Sequence, residues 1–149
     1  MSRRFQFRGE VAGRTVVDDY AHLPTEVRAA IAAAREGPWG RVVVVFQPHR
    51  FSRTASLWPE FAGAFDDADV VVLTDIYAAG EVARPGVSGR LVLQAVVDAE
   101  PRARVVYVPR RADVPRCLSA VTRRGDVVLT LGAGDVTSIA DEWRTAVDA

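Results

Sequence analysis

Apolar residues fall along this chain in short unbroken runs rather than in alternation. RVVVVF at 41–46, DVVVLT at 69–74, RVVYV at 104–108 and DVVLTL at 126–131 are the clearest. Runs of this kind suit strands buried on both faces, as in a parallel sheet. Each run is followed by a stretch with helical character, over 55–65, 88–98, 112–122 and 135–147. Pro59 and Pro115 fall in first turns of these helices or mark later starts. Before the first run, RFQFRG at 4–9 and RTVVD at 14–18 flank Glu10 to Gly13 and predict a hairpin. TEVRAAIAAAR, opened by Pro24 and closed by Gly37-Pro38, predicts a helix with Glu26 near the positive end of its dipole. Strand and helix alternate from there to the end. The pattern predicts an α/β fold: a mostly parallel sheet with helices on both faces, right-handed crossovers and an N-terminal β-hairpin. No linker or repeat interrupts it, so residues 1–149 are expected to form one domain.

Composition narrows the partners. At 149 residues, 49% of them hydrophobic, the chain is long enough to bury a real core. Nineteen basic residues balance nineteen acidic ones, so no global field favours nucleic acid or a membrane surface. The apolar runs are too short to span a bilayer, and a soluble, cytoplasmic protein is expected. Every basic residue is arginine. The absence of lysine excludes a phosphate-binding P-loop, a Schiff base and a carbamylated metal ligand within this chain. The single Cys117 forms no internal disulfide and suits an apolar helix face.

In an open parallel sheet, ligands bind where strand carboxyl ends and helix N-termini converge. Four segments follow the strands there: Asp18 to Pro24, Gln47 to Thr54, Asp75 to Glu81 and Gly132 to Asp135. Both histidines of the chain, His22 and His49, lie in them. Each segment also has an ordinary reading. Asp-Asp-Tyr suits a helix cap, a His-Arg pair on a loop is usually solvated, and Gly-Ala-Gly-Asp lacks the rest of a nucleotide fingerprint. Their concentration on one edge favours a shared polar pocket. An aspartate at a strand end suits a ribose diol. Arg50 and Arg53 offer planar forks for a carboxylate or phosphate, and a helix beginning at Thr54 would add backbone amides to the same anion. A histidine between such charges is biased toward its neutral form, able to accept a proton or orient an amine.

Four stretches carry a resemblance: DDYAHLPTE (18–26), FQPHRFSRT (46–54), DIYAAGE (75–81) and LTLGAGD (129–135). Over nearly the whole chain, from Arg3 onward, they resemble the C-terminal domain of the Mur ligases, the ATP-dependent amino-acid ligases of peptidoglycan synthesis. The second stretch is the most specific, and the nearest branch joins L-alanine to UDP-N-acetylmuramate. The resemblance implies a Rossmann-like domain that closes over a central ATPase domain. It implies an acyl phosphate on the muramyl carboxylate, attacked by the amino acid. By position, Asp19 matches the residue that holds the ATP ribose. Tyr20, His22, Arg50 and Arg53 match residues around L-alanine, with His22, Arg50 and Arg53 as catalytic candidates and His49 beside them. The chain departs from the family at Leu23, where a second histidine is common, and at Ala78, where proline is frequent.

The same resemblance implies ATP and Mg2+ as cofactors of the full-length enzyme, with neither bound by this domain alone and no metal ligand in it. L-alanine, ATP and UDP-N-acetylmuramate are its implied partners, with no nucleic acid and no membrane. The expectation is one inactive domain of a ligase whose central and UDP-binding domains lie elsewhere. The alternatives are a free-standing nucleotide- or amino-acid-binding module, and the same domain of the muramyl-tripeptide recycling ligase.

Overall fold

In the computed structural model, residues 4–148 are described. Met1 to Arg3 and Ala149, the ends of the expected domain, lie outside the described residues. The elements run β1 Gln6–Val11, β2 Arg14–Asp19, α1 Pro24–Arg35, β3 Val42–Phe46, α2 Phe51–Leu57, β4 Val70–Leu73 and α3 Arg90–Ala99. Then follow β5 Val105–Tyr107, α4 Val114–Val121, β6 Val127–Leu131 and α5 Ile139–Asp148. Short 3-10 turns at Trp58–Phe61, Arg111–Asp113 and Asp135–Ser138 precede or extend helices. The six strands form one sheet in the order β1-β2-β6-β3-β4-β5, and β1 alone is antiparallel. The α/β architecture with its N-terminal hairpin is as the apolar runs predict.

Strand alternation splits the valine runs between two cores. Val42, Val44 and Phe46 face α1, α3 and the Phe61–Phe65 turns, where the rings of Phe46 and Phe61 stand 5.1 Å apart. Val43 and Val45 face the other way, against Val114 and Leu118 of α4 and Ile139 and Trp143 of α5. Helices therefore cover both faces. Cys117 packs at the edge of this second core, and burial pushes its thiol up. Among the described residues no helix is long and apolar enough to cross a membrane.

The helix boundaries correct the sequence reading. The helix expected at 55–65 begins at Phe51 and ends at Leu57, after which Pro59 sits in a 3-10 turn. The helices expected from 112 and 135 each open with a 3-10 turn before α4 and α5.

The connections α1, α2 and α3 carry the chain from β2 to β5 along one face, and α4 returns it on the other to place β6 between β2 and β3. The helices that follow β6 and its two neighbours thus leave toward opposite faces. In an open α/β sheet such a reversal, at the carboxyl ends of the strands, is where ligands bind. In register there, Asp19 and Phe46 both stand level with Leu131.

Candidate functional site

Asp18 and Asp19 are the last residues of β2, so their side chains point to opposite faces. Asp18 is fully buried and accepts hydrogen bonds from Thr130 Oγ1 (2.7 Å) and Thr137 Oγ1 (3.0 Å). That carboxylate pins β6 and the turn before α5 to β2. Asp19, 5% exposed, accepts from the Ala21 amide and the Phe5 amide, both at 2.8 Å, with the Arg4 guanidinium at 3.7 Å. It borders a 370 Å³ cavity lined also by Arg4, Thr25, Glu26 and Ala30. Neither aspartate caps α1. Glu26 does so instead, reaching back to the amides of His22 (3.2 Å) and Leu23 (3.1 Å). Burial would raise the Glu26 carboxyl, but those two amides, Arg4 and His22 outweigh it and hold the group below the usual range.

Four rings form a continuous row across the ends of β2, β3 and β4. Tyr20 and His22 meet edge to face with centroids 5.4 Å apart. His22 and His49 are 5.6 Å apart, and His49 stacks on Tyr77 at 5.8 Å with 14° between planes. The two loops that carry the last pair are zipped together. Tyr77 donates its amide to Pro48 O (2.9 Å), and Arg50 donates its amide to Tyr77 O (2.8 Å). Arg53 Nη1 lies 3.3 Å from His49 Nδ1. Burial, then the charges of His22, Arg53 and Arg50, hold the His49 imidazole below the usual histidine range against the opposing pull of Glu81. The neutral bias expected of a histidine in this setting is present. The candidates Tyr20, His22, His49, Arg50 and Arg53 are therefore brought to one edge, and Asp19 stands at the end of β2, bordering the cavity beside α1.

The helix expected to offer amides from Thr54 does not do so. Thr54 lies inside α2, where its amide bonds to Arg50 O at 3.1 Å. The amide of Ser52 is taken by Glu81 Oε1 at 3.0 Å, and the Ser52 hydroxyl donates to Glu81 Oε2. Those bonds hold the Glu81 carboxyl low, more than burial raises it. The Ser52 amide in the first turn of α2 is thus taken by a side chain of this protein. Arg50 itself adopts φ +73°, a left-handed conformation that a bulky residue rarely enters. Held there by its amide bond to Tyr77, it turns the chain sharply from β3 into α2.

Sequence reasoning assigned no role to Gln47, Tyr77, Glu81 or Gly134, although all lie in the quoted segments. Gln47, 3% exposed, donates Nε2 to Asp135 Oδ1 (2.8 Å) and accepts from the Val136 amide (3.2 Å). It fastens the loop after β6 beneath the loop after β3. A Cβ at Gly134 would lie 2.4 Å from Tyr77 Cγ and 2.8 Å from Gln47 Oε1. That glycine is the seat of the Tyr77 ring. Gly134→Ala is expected to destabilise the fold by about 1–3 kcal/mol through overpacking. It should also displace Tyr77 from His49, read as changed shifts of the His49 ring protons in NMR spectra. Unchanged stability and shifts would contradict the seating. Among the described residues no group of three or more His, Cys, Asp or Glu could hold a metal ion.

The chain is 49% identical over 142 residues to the UDP-N-acetylmuramate–L-alanine ligase of Rubrobacter xylanophilus, covering 94% of the chain and 32% of that protein. It is 54% identical to the ligase of the same name from Anaeromyxobacter dehalogenans, covering 95% of the chain and 31% of the relative. The chain thus spans about a third of the length of the curated relatives it matches. Among solved structures, the UDP-N-acetylmuramate-alanine ligase of Thermotoga maritima superposes with a TM-score of 0.77 at 25% identity, over 99% of this chain and 30% of that one. The family described as Mur ligase, glutamate ligase domain, matches residues 3–134, and the chain belongs to the Mur ligase family through this C-terminal domain.

Proposed function

We propose that the chain works as the C-terminal domain of an ATP-dependent ligase that joins L-alanine to the carboxylate of UDP-N-acetylmuramate, in the cytoplasm. The observation that carries this reading is the row Tyr20-His22-His49-Tyr77 with Arg53 against its centre. It stands in a chain about half identical to ligases of that name. In this reading Arg50 and Arg53 grip the amino-acid carboxylate, as planar donors fixed at a rigid edge. Tyr20, His22 and His49 surround the amine. Asp19 takes the ATP ribose: both its oxygens already accept a backbone amide, and each keeps a second lone pair for a hydroxyl. Magnesium, the phosphate-binding lysine and the UDP-sugar site belong to parts of the ligase beyond this domain, which by itself catalyses nothing.

The test is phosphate release from ATP by the full-length protein. Release that needs both UDP-N-acetylmuramate and L-alanine is expected. Release that needs the tripeptide L-alanyl-γ-D-glutamyl-meso-diaminopimelate in place of L-alanine would move the chain to the recycling ligase. Turnover by the 149-residue chain alone would overturn its reading as part of an enzyme.

A further inference from the structure

The two histidines of the site stand 5.6 Å apart, yet their Nδ1 atoms have opposite surroundings. His22 Nδ1 faces acceptors, the Tyr20 carbonyl oxygen at 3.1 Å and Glu26 Oε1 at 3.5 Å. Only a protonated Nδ1 satisfies them, so the neutral ring carries its lone pair on Nε2. His49 Nδ1 faces Arg53 Nη1 at 3.3 Å. A guanidinium has donors and no acceptor. His49 Nδ1 therefore holds the lone pair, and its proton sits on Nε2. The geometry points to a division of labour that rests on the ligase reading above: His22 Nε2 takes a proton from the ammonium of the incoming amino acid, and His49 Nε2–H donates a hydrogen bond to oxygen at the reacting carbonyl. Glu26 is the positioning residue that fixes the His22 tautomer.

The proton balance closes. The ammonium N–H bond breaks as the Nε2–H bond forms on His22, which leaves a neutral amine with a lone pair. The imidazolium charge produced lies beside the Glu26 carboxylate. The amine attacks the acyl-phosphate carbon, the carbonyl electrons move to oxygen, and the C–O bond to phosphate then breaks. The amide nitrogen gives its surplus proton to the departing phosphate. His49 suits the donor role because a neutral ring keeps its Nε2–H without competing for the amine proton. The charged and titratable groups around the pair are Tyr20 and Glu26 at His22, and Arg50, Arg53, Tyr77 and Glu81 at His49. Arg50 and Arg53 disfavour a positive charge on His49, whereas His22 Nδ1 faces the Glu26 carboxylate at 3.5 Å. The asymmetry is built in by partners from different loops.

Two measurements test this. Long-range proton–nitrogen spectra of the chain with 15N-labelled histidine, at about pH 8 where an ordinary histidine is neutral, should show His22 as the Nδ1–H form and His49 as the Nε2–H form. The same tautomer on both rings would overturn the inference whatever the ligase assay says. In the full-length ligase, His22→Asn keeps a donor near the Tyr20 carbonyl but has no base. It should lower kcat/KM for L-alanine by about 10²–10⁴-fold, with the loss shrinking as pH rises and the ammonium loses its proton unaided. His49→Ala removes the donor and should lower kcat/KM by about 10²–10³-fold, whereas His49→Gln keeps an N–H in the Nε2 position and should recover part of that loss, with the pH profile of both unchanged in shape. Glu26→Gln should shift the acid limb of the profile, a readout that loss of helix capping alone would not move. A His22→Asn enzyme with a wild-type profile, or loss of the acid limb in His49→Gln, would overturn the assignment. Wild-type ligase that ignores L-alanine would instead retire the function on which it rests.

Discussion

In the full-length ligase, Arg53→Ala is expected to raise KM for L-alanine about ten- to a hundredfold, the worth of a charge-assisted hydrogen bond of about 1.5–3 kcal/mol. KM for ATP should move little, because Asp19 borders the cavity beside α1 whereas Arg53 stands at His49. Arg53→Lys should recover only part of the loss, since an ammonium keeps the charge without the planar fork. Asp19→Ala should reverse the selectivity, raising KM for ATP and sparing L-alanine. The opposing explanation is that Arg53 merely braces its loop. It would then behave like a stability residue, with KM for both substrates rising equally and the melting temperature falling. That pattern would retire the carboxylate grip. The His49 ring gives an independent reading of the same variant, because Arg53 contributes to its depressed pKa. Its titration should move up in Arg53→Ala.

The sheet was legible because the strands are valine runs without alternation, a pattern that few other elements produce. Their order was not. Nothing local in DVVLTL says that β6 inserts between β2 and β3. That placement follows from the single return crossover through α4. Helix starts were read late at α2 because its first turn is set by the left-handed Arg50 and by Glu81, not by a nearby capping side chain. Propensity alone carries no trace of either.

That the candidates Tyr20, His22, His49, Arg50 and Arg53 would share one edge was legible because they follow strands, and strand ends of a parallel sheet converge. What the sequence hid are the contacts that order them. Glu81 meets Ser52 across 29 residues and Gln47 meets Asp135 across 88. Gly134 could be read as a turn residue, yet its use is to leave room for a ring that stands 57 positions earlier in the chain. Asp18 and Asp19 look equivalent in sequence. Strand alternation alone makes the first a buried pin and the second a wall of the cavity beside α1.

At the opposite end of the sheet, Asp126→Ala is expected to destabilise the domain by about 3–5 kcal/mol, the cost of breaking a buried ion pair by removing one partner. Asp126 is 1% exposed and takes both prongs of Arg41, Nε at 3.1 Å and Nη2 at 2.8 Å, together with the Arg123 amide at 2.9 Å. The pair locks the starts of β3 and β6, at the end of the sheet opposite the ring row, so stability should fall while the ring row keeps its geometry. Burial would raise the Asp126 carboxyl, but the Arg41 bond, the Arg123 amide and the charges of both arginines outweigh it, and the group is held low. A carboxyl depressed in the folded state contributes stability that is present above its unfolded pKa of about 3.9 and is lost as pH falls through the folded value. Wild type and Asp126→Ala should therefore differ most near neutral pH and converge in acid below about pH 4. Replacing both partners, Arg41→Met with Asp126→Leu, should recover much of the loss, because neither charge is then left buried alone. Denaturant unfolding of the three proteins at neutral and acid pH measures all of this. A gap between wild type and Asp126→Ala that is below about 1 kcal/mol, the level of an exposed pair, or that does not change with pH, would show that the ion pair does not hold the two strands together.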